Sequence, residues 1–308
     1  MDMITVEEGE FNGLACVWLS NGQVRLAVTT GRGLRIVLWG WQQGDNIFAE
    51  LPEFALETPA GLYHFLGGHR LWHAPEALNR TYQPEEWPVA VEITANGARF
   101  AAPADGAGIV KEIQLALAAA TPRVTVTHML RNAGLWPVEL APWALSMCRL
   151  GGVVLLPQPQ GPADPDGLLP NRRFSFWPYS DPTDSRVHLG NQVALVHARP
   201  APRNKLGYRN RHGWVAYWLE GTLFSKQFDP HLDADHPDFG CNTECFLNDS
   251  FVELETLGPL VRLAPEAAVS HTEVWRLHAD VPPVATEAEA VAVAGALGLM
   301  GLEPEAVM

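Results

Sequence analysis

The chain has 308 residues, of which 47% are hydrophobic and 18% are charged, and it contains 11 Trp and 12 Phe. This composition excludes a disordered protein and supports a large buried core. The net charge is −14, from 21 basic and 35 acidic residues, so phosphate backbones and anionic lipids repel the chain. We therefore expect neither nucleic acid nor a membrane as a partner, and a small ligand fits better.

The chain ends and the cysteine content bear on the compartment. Residues 1–8 lack the basic and apolar stretches of a secretory signal, and the apolar run 291–302 is too short and too Gly-rich to span a bilayer. Four Cys without a regular spacing indicate a reduced compartment. We therefore expect a cytoplasmic protein.

Apolar runs of strand length recur along the chain, and turn signals such as Asn21-Gly22 and Asn96-Gly97 separate them. Asn-Gly between alternating runs is typical of a β-hairpin. Helical periodicity is almost absent. The pattern predicts an all-β chain folded as a large antiparallel β-sandwich. The predicted strands are 14–19, 24–29, 34–39, 89–94, 98–101, 109–117, 124–131, 192–197, 214–219, 223–228, 241–247, 251–256 and 269–277.

Residues 156–186 interrupt this rhythm. They are rich in Pro, Asp and Arg and have no period, which predicts a long ordered loop. Loops of this length inside a compact domain usually act as lids or binding loops.

One short C-terminal helix is predicted. Thr286 and Glu289 match a capping box, and the Ala-rich residues 288–297 follow it, with Gly298 as the stop. We expect a single domain, with a β-sandwich over residues 1–280 and a helical tail over 281–308 packed on it.

The stretch 251–260, FVELETLGPL, is the strongest candidate for a functional strand. Side chains of a strand alternate between faces, so Phe251, Glu253 and Glu255 share one face. Two carboxylates beside an aromatic ring are suited to the floor of a polar pocket. The alternative is a solvent-facing strand whose acids only add solubility.

The run 67–76, GGHRLWHAPE, is the second candidate. In an extended conformation His69 and His73 share one face, and Arg70 and Trp72 share the other. Functional residues would cluster here around a ligand. The alternative is that the two imidazoles are structural and that Trp72 belongs to the core.

These two stretches and the segment 271–275, HTEVW, resemble the aldose 1-epimerases. The likeness is to an uncharacterised bacterial branch of the galactose mutarotase-like superfamily and covers roughly residues 5–278. It implies a β-supersandwich that binds a sugar. It also implies that Glu255 is the catalytic base, with Glu253 as its rival, and that Arg70 bonds sugar hydroxyls. Trp72, on the same predicted face as Arg70, is a candidate to stack on the apolar face of the sugar ring.

The family's acid His is replaced in this chain. The segment 137–143, PVELAPW, resembles the strand that carries that His, but Trp143 stands in its place. The proton donor would then be His73 or His69. Trp143 is either a second stacking platform or a core residue.

Basic residues in the middle of the chain add binding candidates. Lys226 shares a predicted face with Phe224 and Phe228, so it either extends its ammonium to solvent or contacts a ligand. Arg172 and the basic residues of 205–212 could bind a sugar phosphate, or they could pair with the many carboxylates.

The run 231–245 suggests a zinc site through two His and two Cys. In a strand, however, Cys241 and Cys245 would lie about 13 Å apart. We therefore expect no metal, and Glu244 on the opposite face is the better pocket residue.

The sequence thus predicts a carbohydrate-binding protein that opens a sugar hemiacetal by general acid–base catalysis, as in aldose 1-epimerases. Because this chemistry needs only proton transfer, we expect no cofactor. The alternative is a non-catalytic carbohydrate-binding protein with the same cleft.

Overall fold

The computed structural model describes residues 4–300, which form two large antiparallel sheets around one core. The elements are β1 (Thr5–Phe11), β2 (Leu14–Ser20), β3 (Val24–Thr29), β4 (Arg35–Trp41), β5 (Glu50–Thr58), β6 (Gly61–Gly67), β7 (His69–Ala74), β8 (Ala90–Thr94), β9 (Gly97–Ala101), β10 (Ile109–Leu117), β11 (Arg123–Asn132), β12 (Val138–Cys148), β13 (Val153–Pro157), β14 (Phe174–Phe176), β15 (Val187–His188), β16 (Val193–His197), β17 (Asn204–Tyr208), β18 (Trp214–Leu219), β19 (Thr222–Phe228), the single turn α1 (Pro237–Gly240), β20 (Thr243–Leu247), β21 (Val252–Leu257), β22 (Val261–Leu263), β23 (Ala268–His278) and α2 (Glu287–Ala296).

The first sheet runs in the order β1-β2-β3-β4-β7-β12-β21-β20-β17-β14, and β22 also pairs with β12. The second sheet runs in the order β15-β16-β13-β18-β19-β23-β11-β10-β9-β8. The hairpin β5-β6 forms a separate two-stranded sheet. The all-β antiparallel sandwich that the sequence predicts is therefore confirmed.

Aromatic rings fill the centre of the core between the two sheets. Phe224 and Trp275 of the second sheet lie 5.5 Å apart between ring centroids, and Phe48 lies 5.7 Å from Trp275. All three are fully buried. Burial of such a side chain contributes roughly 1.5–3 kcal/mol, so these rings hold the two sheets together.

Every predicted strand is present, with ends within two residues of the prediction. The predicted set lacks β1, β5, β6, β13, β14, β15, β17 and β22, and it includes β7 and β12 only as candidate functional strands. The predicted loop 156–186 contains only the three residues of β14 and the end of β13 as strand.

The predicted C-terminal helix is α2, and its capping box is present. Thr286 Oγ1 accepts a hydrogen bond from the Glu289 backbone N–H at 3.3 Å, and Glu289 Oε2 accepts one from the Thr286 N–H at 2.9 Å. The buried face of α2 packs on apolar residues of β13 and β16. The division at residue 280 stays a prediction, and residues 1–3 and 301–308 lie outside the described residues.

None of the helices in residues 4–300 combines the length and the apolar character that crossing a membrane requires.

Candidate functional site

Five neighbouring strands of the first sheet, β7, β12, β21, β20 and β17, bring polar side chains to one face. Leu145 of β12 pairs with Arg70 on one side and with Glu255 on the other. Glu255 in turn lies opposite Glu244. Paired residues share a face, as do residues two positions apart along a strand. The side chains gathered on this face are Arg70, Trp72, Trp143, Leu145, Lys205, Glu244, Phe246, Glu253 and Glu255.

A cleft lies over this face. Its empty volume is about 670 Å³, which includes solvent space at the open mouth. Its walls are largely aromatic, and elements outside the sheet complete them. The hairpin β5-β6 contributes two Phe, and the predicted binding loop contributes Tyr179. The lining residues are Phe54, Phe65, Arg70, Trp72, Glu76, Tyr82, Trp143, Leu145, Tyr179, Arg203, Lys205, Phe246, Asn248, Phe251 and Glu253.

An ion pair between Arg70 and Glu253 forms one part of the floor. Arg70 Nη1 lies 2.8 Å from Glu253 Oε1, and both side chains are almost fully buried. The guanidinium also stacks on Trp72, with Cζ 4.0 Å from the ring centroid. Burial raises the pKa of the Glu253 carboxyl, although the charge of Arg70 opposes this. Glu253 is therefore held beside a cation at the cleft surface but retains an unusual affinity for a proton.

A second cluster of charged side chains is centred on Lys205. Its Nζ lies 2.7 Å from Glu244 Oε2 and 2.9 Å from Glu255 Oε2. The ammonium is sandwiched between the rings of Trp143 and Trp177, at 4.6 and 4.5 Å from their centroids. Burial alone would lower the pKa of Lys205, but the two carboxylates outweigh it and hold that pKa well above its ordinary value. Lys205 is therefore a buried ammonium ion that faces the cleft.

Glu255, the predicted base, lies behind Lys205 and does not reach the cleft surface. The Trp143 indole N–H donates to Glu255 Oε2 at 2.8 Å, and Lys205 binds the same oxygen. Glu255 has no exposed surface, whereas Glu253 is 6% exposed and lines the cleft. The carboxylate of β21 that a ligand meets first is therefore Glu253, the rival of the sequence-based assignment.

The predicted stacking residues are in the cleft, but their rings are mostly covered. Trp72 and Trp143 are each only 2% exposed, and Arg70 and Lys205 lie over their faces. They support the two cations instead of offering an open ring to a ligand.

His69, His73 and Lys226, three residues that the sequence assigns to the site, do not line this cleft. The two His of β7 lie on the opposite face of the strand from Arg70, as the alternation required, and both are buried between the sheets. Lys226 of β19 also points between the sheets, where it forms an ion pair with Glu273 at 2.7 Å. Because none of these side chains meets the cleft, none can exchange a proton with a ligand there.

Arg172 is also remote from the cleft. It is exposed, and its Nη1 donates to Asn191 Oδ1 at 3.5 Å, a long contact on the surface. The sequence-based assignment to ligand binding is not supported by this position.

The buried His residues form a hydrogen-bonded network between the sheets. His69 Nδ1 contacts Ser146 Oγ at 2.9 Å, and its Nε2 lies 2.7 Å from His128 Nε2. His128 Nδ1 donates to the His271 carbonyl oxygen at 2.9 Å. Only one proton fits between two Nε2 atoms, so the pair is not doubly protonated. Burial, followed by the charge of the neighbouring His128, lowers the pKa of His69 well below its ordinary value.

Metal-type ligand atoms also meet in this network. Those of His69, His128 and Glu273 lie within 4.8 Å of one another. Lys226 supplies the positive partner of Glu273, and the two imidazoles bond each other, so the contacts are those of a structural network. Within residues 4–300, the His and Cys residues of the 231–245 run form no such group.

Acid is expected to destabilise the fold through His73 and His271. Burial is the main cause that lowers the pKa of each to about 3, while an unfolded His titrates near 6.5. The unfolded state therefore binds the proton first. This contribution to stability is complete above about pH 6.5 and falls by about 2 kcal/mol per imidazole by pH 5.

Urea unfolding at about pH 7.5 and about pH 5 measures this effect. His73→Phe removes one of the two imidazoles, so its loss of stability between these pH values should be about 2 kcal/mol smaller than in the wild type. His188→Phe, at an exposed position, is the matched control. The same loss in all three proteins would contradict a buried neutral His73.

Sequence reasoning missed several residues of the cleft. The sequence indicates Lys205 only as one of several basic residues of 205–212, and it does not indicate Tyr179 or Arg203. The run NKLGY of β17 does alternate, which places Lys205 and Gly207 on one face. This signal was available, but nothing in the chain indicated that β17 pairs with β20.

Two stacked antiparallel sheets, with this cleft on one of them, make up a fold that solved structures share. A candidate aldose 1-epimerase from Klebsiella pneumoniae has a TM-score of 0.60 and 12% identity, over 97% of this chain and 88% of that one. A candidate mutarotase from Salmonella typhimurium has a TM-score of 0.59 and 11% identity, over 89% of this chain and 94% of that one.

A TPR-domain-containing protein from Parabacteroides distasonis also has a TM-score of 0.60, with 12% identity over 88% of this chain. The present chain spans about half, 48%, of that protein. No family model matches the chain, and no curated protein matches it in sequence. The comparisons thus confirm the galactose mutarotase-like fold that the sequence resemblance implied.

Proposed function

We propose that the protein binds a small carbohydrate in the cleft and interconverts its anomers, as a cofactor-independent, aldose 1-epimerase-like isomerase. The observation that carries this proposal is the floor of the cleft. There the Arg70–Glu253 pair lies beneath aromatic walls, in a fold shared with candidate epimerases and mutarotases.

The walls of the cleft are suited to a sugar ring. A pyranose has apolar C–H faces and polar edges, so it binds where aromatic rings meet a few well-placed polar groups. Phe54, Phe246 and Tyr179 are partly exposed at the mouth and offer such rings. Arg70, Glu253 and Asn248 supply donors and acceptors for the hydroxyls.

Glu253 is the base in this proposal. Hemiacetal opening removes a proton from the anomeric hydroxyl while the ring oxygen receives one, and ring closure reverses both transfers. A carboxylate at the cleft surface beside Arg70 can accept the first proton without a cofactor. Its raised pKa brings it closer to the working pH, which favours proton transfer in both directions.

A non-catalytic carbohydrate-binding protein is the second candidate. Two observations favour it: Glu255 has no exposed surface, and none of the His residues within 4–300 lines the cleft. Loss of the acid would then leave binding without turnover.

Exchange between anomers, measured by NMR saturation transfer, tests the proposal. The panel contains neutral aldoses and hexose 6-phosphates, because Arg203 lies at the mouth over Tyr179. We expect the protein to accelerate exchange of at least one sugar. Ligand-dependent shifts without acceleration would support the binding protein instead. The absence of both acceleration and ligand-dependent shifts would refute a carbohydrate function.

A matched pair of variants tests whether the cleft binds the carbohydrate. Tyr179→Ala removes an aromatic ring from the cleft, and Trp136→Ala removes one that is 79% exposed and lies outside the lining. Only the first should weaken binding.

A further inference from the structure

The floor of the cleft holds more carboxylates than cations. Two cations, Arg70 and Lys205, face three carboxylates, Glu244, Glu253 and Glu255, and each of these five side chains is at most 7% exposed. Arg70 is paired with Glu253, so Lys205 alone serves the other two acids. Two ionised carboxylates that share one buried ammonium leave one negative charge without a partner, which is costly away from water.

The geometry of Glu244 and Glu255 increases this cost. They are directly opposed on β20 and β21, where like charges repel at short range. The Oε1 atom of each has no hydrogen-bond partner among the described residues. Asp238, which is negative, also acts on Glu244, and the neighbouring Cys241 thiol has Arg173 near it. One proton on this pair neutralises the excess charge and supplies a donor.

That proton is more stable on Glu244 than on Glu255. Glu255 Oε2 already receives two donors, the Trp143 indole N–H and the Lys205 ammonium. Glu244 has only Lys205. Burial and the nearby charge of Glu255 raise the pKa of Glu244 well above its ordinary value, against the effect of Lys205.

We propose that Glu244 is protonated at neutral pH and that its proton reaches the sugar ring oxygen through the Lys205 ammonium. This inference rests on the proposed function, and it identifies the groups that replace the acid His of the family. Lys205 lines the cleft and contacts Glu244, so it lies between the Glu244 carboxyl and a ligand in the cleft.

The proton transfers balance. On ring opening, Glu253 takes the anomeric hydroxyl proton, and the bond between the anomeric carbon and the ring oxygen breaks. The ring oxygen takes a proton from the Lys205 ammonium as Lys205 takes one from the Glu244 carboxyl, so Lys205 stays charged and the proton given up is that of Glu244. Lys205 is then an ammonium ion between two carboxylates, and ring closure returns each proton along the same route.

Infrared spectroscopy tests the protonation without reference to activity. A protonated buried carboxyl has a C=O stretch that shifts in heavy water. We expect the wild type at neutral pH to show such a band, and Glu244→Gln to lose it. Glu76→Gln is the control, because Glu76 is an exposed carboxylate at the same cleft, and it should keep the band. Retention of the full band in Glu244→Gln overturns the assignment.

Kinetics test the role of the proton. Glu244→Gln keeps the shape and the hydrogen-bonding capacity of the side chain but cannot resupply Lys205. We expect kcat for anomer exchange to fall by about 10²-fold or more with little change in KM. Wild-type kcat in this variant overturns the relay even if the infrared band is lost. Absence of exchange in the wild type refutes the proposed function and the relay with it, and the infrared result still decides the protonation of Glu244.

Discussion

Replacement of Glu253 by Gln is expected to slow protein-catalysed anomer exchange by about 10²–10⁴-fold, the contribution that a positioned general base typically makes. Gln has the size of Glu and still bonds Arg70, so the cleft should keep its shape. It cannot accept the anomeric proton. The measurement is saturation transfer between anomers, with the sugar that the wild type turns over, at equal concentrations of variant and wild type.

Glu255→Gln is the companion variant, because the sequence resemblance assigns the base to that residue. Glu255 is covered by Lys205 and Trp143, so its replacement should change exchange less than the replacement of Glu253 does. The opposite ranking would restore Glu255 as the base. It would also mean that Lys205 moves aside when a ligand binds.

Lys226→Met is expected to lower the free energy of unfolding by about 3–5 kcal/mol, since it leaves Glu273 charged and buried without its partner. Both side chains have no exposed surface. The ammonium also donates to Ser146 Oγ and to the Leu254 carbonyl oxygen, each at 3.2 Å, and those acceptors would lose a donor. Urea unfolding of the variant and the wild type measures the difference.

Arg172→Met is the control for this experiment. It also removes a positive charge that the sequence assigned to binding, but at an exposed position, so stability should change by less than about 0.5 kcal/mol. The double variant Lys226→Met with Glu273→Gln should recover part of the loss, because no uncompensated charge remains. A Lys226→Met protein with wild-type stability and no carbohydrate binding would return Lys226 to the ligand site.

Much of the local structure follows from the sequence. Hydrophobic alternation and Asn-Gly turns located the predicted strands, because one dry face and tight turns are local properties of the chain. The capping box at Thr286 located the start of α2 for the same reason. Alternation also placed Arg70 and Trp72 on one face of β7 and His69 and His73 on the other.

The tertiary structure decided which face carries the site. The strands β7 and β21 are buried on both faces, so period-two alternation shows which residues share a face but not which face meets a cleft. Lys205 reaches the floor only because β17 pairs with β20, far from Arg70 in sequence. His128 and Glu273 of the second sheet occupy the His69 side in the same way. Pairing between distant strands depends on the packing of the whole core, and this is why Glu253 and Lys205, and not His73 and Lys226, face the cleft.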